Sequence, residues 1–122
     1  MNLEDIKNYC LKKEGARINF PFDDKTLTFI VGGKMFLLTD INSQEPKINL
    51  KCNPELAILL RENYTAVSPG YHMNKKHWNT ICLNKDLPSE KIYELINHSY
   101  ELVFGSLTKK EKEKIKLFGK DS

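Results

Sequence analysis

The stretch LTFIVGGKMFLLTDI, residues 27–41, constrains the fold most. Residues 27–31 and 35–41 are rich in β-branched and aromatic side chains, and Gly32-Gly33 stands between them. Glycine takes positive φ without a Cβ penalty, so a Gly-Gly pair between two such runs predicts a tight antiparallel hairpin. Residues 42–46 read as a second turn, and KINLK at 47–51 alternates polar with apolar residues, so a third strand follows. The three make a meander.

Helices are expected on either side of this meander. Asn2 is a candidate N-cap, with Glu4 and Asp5 in the first turn, where the helix dipole favours acids. Leu3, Ile6 and Cys10 lie at helical spacing, and Gly15 is placed to close this helix in the left-handed conformation. Asn53-Pro54-Glu55 opens a second helix running to about Asn63. Residues 66–68 and 78–83 are expected strands. A third helix follows Ser89, with Ile92, Leu95, Ile96, Ser99, Leu102 and Val103 on one face, and Gly105 ends it. Thr108 and Glu111 have the capping-box spacing of a short, lysine-rich terminal helix whose thin apolar side makes it peripheral. The fold class is thus α+β. We expect two layers, an antiparallel sheet with helices on one face, in the order α-β-β-β-α-β-β-α plus a short C-terminal helix. Residues 1–105 form one domain and 106–122 a lysine-rich helix or tail.

The 122 residues suit a single core. No apolar run approaches the ~20 residues needed to span a bilayer, and the N-terminal residues lack a signal-peptide pattern, so a cytoplasmic protein without membrane contact is expected. Cys10, Cys52 and Cys82 are widely spaced and form no CxxC pair, so buried thiols are the reading. The net charge of +3 is concentrated: six lysines and three acids of 106–122 leave thirteen of each sign for residues 1–105. Within that neutral body, residues 63–85 carry three lysines, two histidines and no acid.

The centre of that acid-free stretch is PGYHMNKKHWNT, residues 69–80. Its Pro-Gly start marks a loop. His72 and His77 have no nearby carboxylate or thiolate spacing that would complete a metal site, so no metal and no cofactor are assigned. Gly32-Gly33 precedes a strand rather than a helix, which argues against a phosphate loop. Cys82 lies in an apolar strand and lacks the marks of an activated thiolate. Asp23-Asp24 read as a capped turn. No catalytic residue is named. Trp78, the single tryptophan, reads as the anchor of the loop. The donors of Lys75, Lys76, His72, Asn74 and His77 are suited to phosphates.

Several motifs together carry a family resemblance: Pro21-Phe22, GGKMF at 32–36, LKCNPELAILLRENY at 50–64, PGYHMNKKHWNT at 69–80, Asp86-Leu87-Pro88 and SYELV at 99–103. The chain resembles the MmcQ/YjbR-like family of small bacterial proteins over nearly all its length to about Phe104. It departs at Asp23, where that family often has glycine. The resemblance implies an α-β3-α-β2-α fold similar to secretion chaperones and frataxin-like proteins. It also implies a DNA-binding role through a double wing of strands and loops, with no catalytic residues. Frataxin-like iron binding is not carried over, because the first helix offers only Glu4, Asp5 and Glu14.

The resulting expectation is a non-enzymatic DNA-binding protein. Its contacts would be His72, Asn74, Lys75, Lys76 and His77 in the loop, Lys34 at the hairpin and Arg61 on the second helix. The alternative is a protein-interaction module that uses a sheet face or strand edge, as secretion chaperones do.

Overall fold

The computed structural model describes residues 1–20, 24–71 and 73–118. Its elements run α1 (Leu3–Leu11), β1 (Arg17–Asn19), β2 (Thr26–Val31), β3 (Lys34–Asp40), β4 (Lys47–Lys51), α2 (Pro54–Asn63), β5 (Val67–Pro69), β6 (Trp78–Cys82), α3 (Ser89–Gly105) and α4 (Lys109–Phe118). All the strands join one antiparallel sheet in the order β1-β2-β3-β4-β6-β5. The α+β class and the β2-β3-β4 meander are as the sequence implies. β1 is an addition: three exposed residues pairing Arg17 with Ile30 and Asn19 with Thr28.

Local chemistry explains most boundaries. The Asn2 side chain accepts from the Asp5 N–H while the Asp5 carboxylate accepts from the Asn2 N–H, a reciprocal capping box. Asn53 caps α2 by accepting from the Glu55 and Leu56 N–H groups, with Pro54 at the first helical position. α1 ends earlier than its glycine suggests, at Leu11 with Lys12 as cap. Gly15 does take φ +74, but in the turn beyond the helix, where an added Cβ would stand 2.7 Å from Ile115. That glycine serves the approach of α4 rather than the end of α1.

Register divides the sheet into two faces. Paired residues of an antiparallel ladder share a face, so Phe29, Leu37, Leu50 and Asn79 point one way, as do Ile48, Ile81 and Val67. The opposite row is Thr28, Leu38, Asn49, Thr80 and Ser68. Helices cover the first face. The Ser99 hydroxyl of α3 donates to the Phe36 carbonyl at 2.6 Å and accepts from the Lys51 N–H at 3.0 Å. α1 lies against α3, with the Tyr9 and Tyr93 ring centroids 4.3 Å apart.

A β-bulge between Phe29/Ile30 and the facing strand leaves Phe36 as the extra residue of β3. A bulge lets two successive side chains turn to one side. Phe36 and Leu37 are both fully buried, and Phe36 meets Phe29 and the edge of Tyr100 at ring distances of 6.4 and 5.4 Å.

The strand directions bring certain loops together. β2 leads into the Gly32-Gly33 turn, β4 ends at Lys51, β5 ends at Pro69 and β6 starts at Trp78. With Lys51 opposite Trp78 and Leu37 opposite Leu50, these points share one end of the sheet. The hairpin turn and the 70–77 loop therefore project from the same end.

Candidate nucleic-acid interface

The 70–77 loop is held from several sides. The Gly70 N–H donates to the Trp78 carbonyl at 2.9 Å, and the Met73 N–H donates back to the Gly70 carbonyl at 3.3 Å. The Asn74 carbonyl accepts from the Trp78 and His77 N–H groups at 3.0 and 3.2 Å, and its side-chain oxygen accepts from the Lys76 N–H at 3.0 Å. This Asx-type arrangement explains why asparagine precedes the lysine pair. The His77 carbonyl accepts from the Cys52 N–H at 2.7 Å, tying the loop to the end of β4. Gly70 is needed for space: a Cβ there would lie 2.8 Å from Trp78 Cβ and 3.0 Å from its carbonyl. Trp78 is buried at the start of β6, directly after this loop.

Arg61 has a different place from the phosphate contact expected. It is half-buried on α2, and its Nε donates to Asn79 Oδ1 at 2.6 Å. Its Nη2 donates to the Lys75 carbonyl and, at 3.3 Å, to the Trp78 carbonyl. One planar guanidinium thus clamps the last turn of α2 to both ends of the lysine segment, a task its fork geometry suits. Asn79 is the missed partner. It is 1 % exposed in β6, and its amide also donates to the Ala57 carbonyl at 3.3 Å. An asparagine at an inward-facing position of an apolar strand was the available signal, because such a group must find partners when buried.

With that clamp engaged, Lys75 and Lys76 remain exposed, as do Asn74 and, at 72 %, Tyr71. Lys75 Nζ reaches the Gly70 carbonyl at 3.2 Å, and neither lysine forms an ion pair with a described acid. His77 is half-buried at the loop's end, and His72 falls outside the described residues. Lys34 stands apart from this group, at the hairpin, with Nζ 3.4 Å from Ser106 Oγ. The nearby Glu111 carboxyl is held below the ordinary range, first by the Thr108 N–H and further by Lys34.

Asp86 fixes the strand that feeds the loop. Its carboxylate accepts from the Thr65 and Ala66 N–H groups at 2.7 and 2.8 Å, which holds its pKa below the usual carboxylate value. The folded state therefore favours ionised Asp86. Its contribution is complete above the ordinary carboxylate pKa and disappears as pH falls through the depressed folded value. Asp86→Asn is expected to lower the thermal midpoint at pH 7 and to match the parent protein in strong acid. A constant difference across that range in a pH series of melting curves would contradict this role.

The three thiols are free and buried, as expected. Burial raises Cys10 to about 12 and Cys52 to about 11. Neither is an available nucleophile near neutrality. Among the described residues no three His, Cys, Asp or Glu side chains gather into a metal-binding group, and no helix is long and apolar enough to cross a membrane.

The architecture is that of a small two-layer α+β domain carrying an acid-free, clamped loop beside a glycine hairpin. The YjbR family model matches residues 11–102. The uncharacterized protein YjbR of Escherichia coli is 35% identical over 115 residues, covering 94% of this chain and 97% of that one. The Escherichia coli protein YbdF is 33% identical over 113 residues, covering 93% of each. A crystal structure of a Deinococcus radiodurans protein with a DUF419 domain superposes with TM-score 0.89 at 37% identity, covering 94% of this chain and 88% of that one. A Pseudomonas syringae crystal structure gives TM-score 0.73 at 31% identity, covering 84% and 99%. The chain belongs to the YjbR family.

Proposed function

We propose that this chain is a non-enzymatic DNA-binding protein that grips the phosphate backbone with two projections from one end of its sheet. The observation that carries this reading is the 70–77 loop: no acid, two exposed lysines, and the Lys75 and Trp78 carbonyls held by Arg61. The second projection is the Gly32-Gly33 hairpin with Lys34 at its base. Hairpin and loop are three strand positions apart in the sheet order, or roughly 14 Å at about 4.8 Å per strand. That separation is close to the ~12 Å width of the major groove, so the two arms suit phosphates on either side of it.

Contacts of this kind release counterions, so binding is expected to be salt-sensitive and weakly sequence-specific. The test is fluorescence anisotropy with a labelled random duplex across a salt series. Lys75→Ala/Lys76→Ala should flatten the slope of log affinity against log salt by about two, one for each lysine. An unchanged slope removes the loop from the interface.

A protein-interaction module is the second reading. It is favoured by Ile58 and Leu59 on the outer side of α2, which are 52 % and 54 % exposed. The edge strands β1 and β5 are each three residues long, and β5 ends in proline, so strand addition has little to build on. Absence of duplex binding even at low salt would transfer the argument to the α2 surface.

A further inference from the structure

We propose that the outward face of α4 is a further phosphate-contact surface that continues the hairpin projection along the duplex. It rests on the DNA-binding reading and extends it beyond the family match, which ends at residue 102.

The charge distribution and the packing both lead there. The chain's whole positive excess lies after residue 105. Within it, Lys109–Phe118 forms a helix that packs on the core through Ile115. Thr108 and Glu111 close a capping box, each backbone N–H donating to the other's side chain at 3.1 Å. Leu107 fills the space over Gly32, where an added Cβ would lie 2.6 Å from its Cδ1, and Ile115 sits likewise over Gly15. Lys112 Nζ rests 6.0 Å from the Phe104 ring centroid.

Docking sorts the charges. Glu111, Lys112 and Ile115 are half-buried on the inner side, whereas Lys109, Lys110, Lys114 and Lys116 are exposed. Glu113 is the single acid on that outer side, and none of the four lysines forms an ion pair with a described acid. Lys110 and Lys114 are four apart, a like-charge spacing that disfavours an isolated helix. A helix that keeps unpaired lysines on one side, held in place by apolar contacts, is preorganised for a polyanion. Its partner is set by position: Leu107 joins it to the hairpin turn, so a duplex gripped there passes along this face.

The test compares the parent, Lys75→Ala/Lys76→Ala, and Lys109→Gln/Lys110→Gln/Lys114→Gln/Lys116→Gln in the same duplex titrations across salt. The quadruple variant changes only exposed side chains and should melt near the parent temperature; a Lys-to-Arg version at the same four positions should restore binding. Each phosphate contact contributes about 0.9 to the salt slope, so the quadruple variant should be shallower by about two to four. A quadruple variant with the parent's slope, while the loop variant is weakened, overturns the α4 proposal and leaves the loop reading standing. The reverse pattern supports α4 and removes the loop. Absence of parent binding at low salt overturns both.

Discussion

Phe36→Ala is expected to destabilise the protein by about 3–5 kcal/mol, the usual cost of emptying a fully buried phenylalanine site. Phe36 has no exposed surface and packs between Phe29 and Tyr100. The bulge places it beside Leu37 on the helix side of the sheet, so its loss leaves a hole directly beneath α3. The neighbouring hydrogen bond from Ser99 to the Phe36 carbonyl fixes the backbone and hinders collapse into that hole. A natural domain of this size has ~5–15 kcal/mol of stability in all, so the substitution removes a large share. Urea unfolding should show a lower midpoint with an unchanged slope. Phe36→Leu, which restores much of the volume, should cost under about 1.5 kcal/mol. Equal losses for the two variants would mean that the site does not depend on filled volume.

Arg61→Ala carries the second large effect, about 2–4 kcal/mol. Hydrogen bonds to charged groups contribute ~1.5–3 kcal/mol, and a buried acceptor left without a donor adds its own desolvation cost. Asn79 Oδ1 is that acceptor, in a residue 1 % exposed. The Lys75 and Trp78 carbonyls lose the same donor group. Arg61→Lys should recover only a small part, because a single ammonium cannot follow the guanidinium fork. Hydrogen exchange separates this clamp from a general core role. The Gly70 and Cys52 amides, which bond to the Trp78 and His77 carbonyls, should lose protection before those of β2 and β3. Uniform loss of protection across the sheet would overturn the local role.

Much of the fold was legible because its signals are local. Gly32-Gly33 fixed the hairpin, and Asn2, Asn53 and Thr108 marked helix starts through hydrogen bonds that span only two or three residues. Periodicity placed Ile92, Leu95, Ile96, Ser99 and Val103 on the inner face of α3. β1 escaped because a polar-apolar-polar run of three residues is too short to mark a strand; its strand character comes from pairing with β2. The bulge escaped because it depends on how two strands accommodate each other.

The candidate loop was visible as an acid-free segment. The division of labour within it was hidden. Arg61 reads as a surface cation until the last turn of α2 is set against Lys75, fourteen positions away. Asn79 falls in an expected strand, but its face and its partners appear only once β6 is paired with β4. Asp86 enters the sequence only as part of the Asp86-Leu87-Pro88 motif, and only the folded chain brings it to the Thr65 and Ala66 amides.

The Arg61 clamp also bears on how quickly a partner can be taken up. A loop that must first become ordered adds a slow step and an entropic penalty to every encounter. Here the backbone at Gly70 and from Met73 to Trp78 is already tied down by the fold itself. On the proposed reading a duplex would meet a loop whose backbone is already set, and encounter would be expected at the pace of electrostatically steered diffusion.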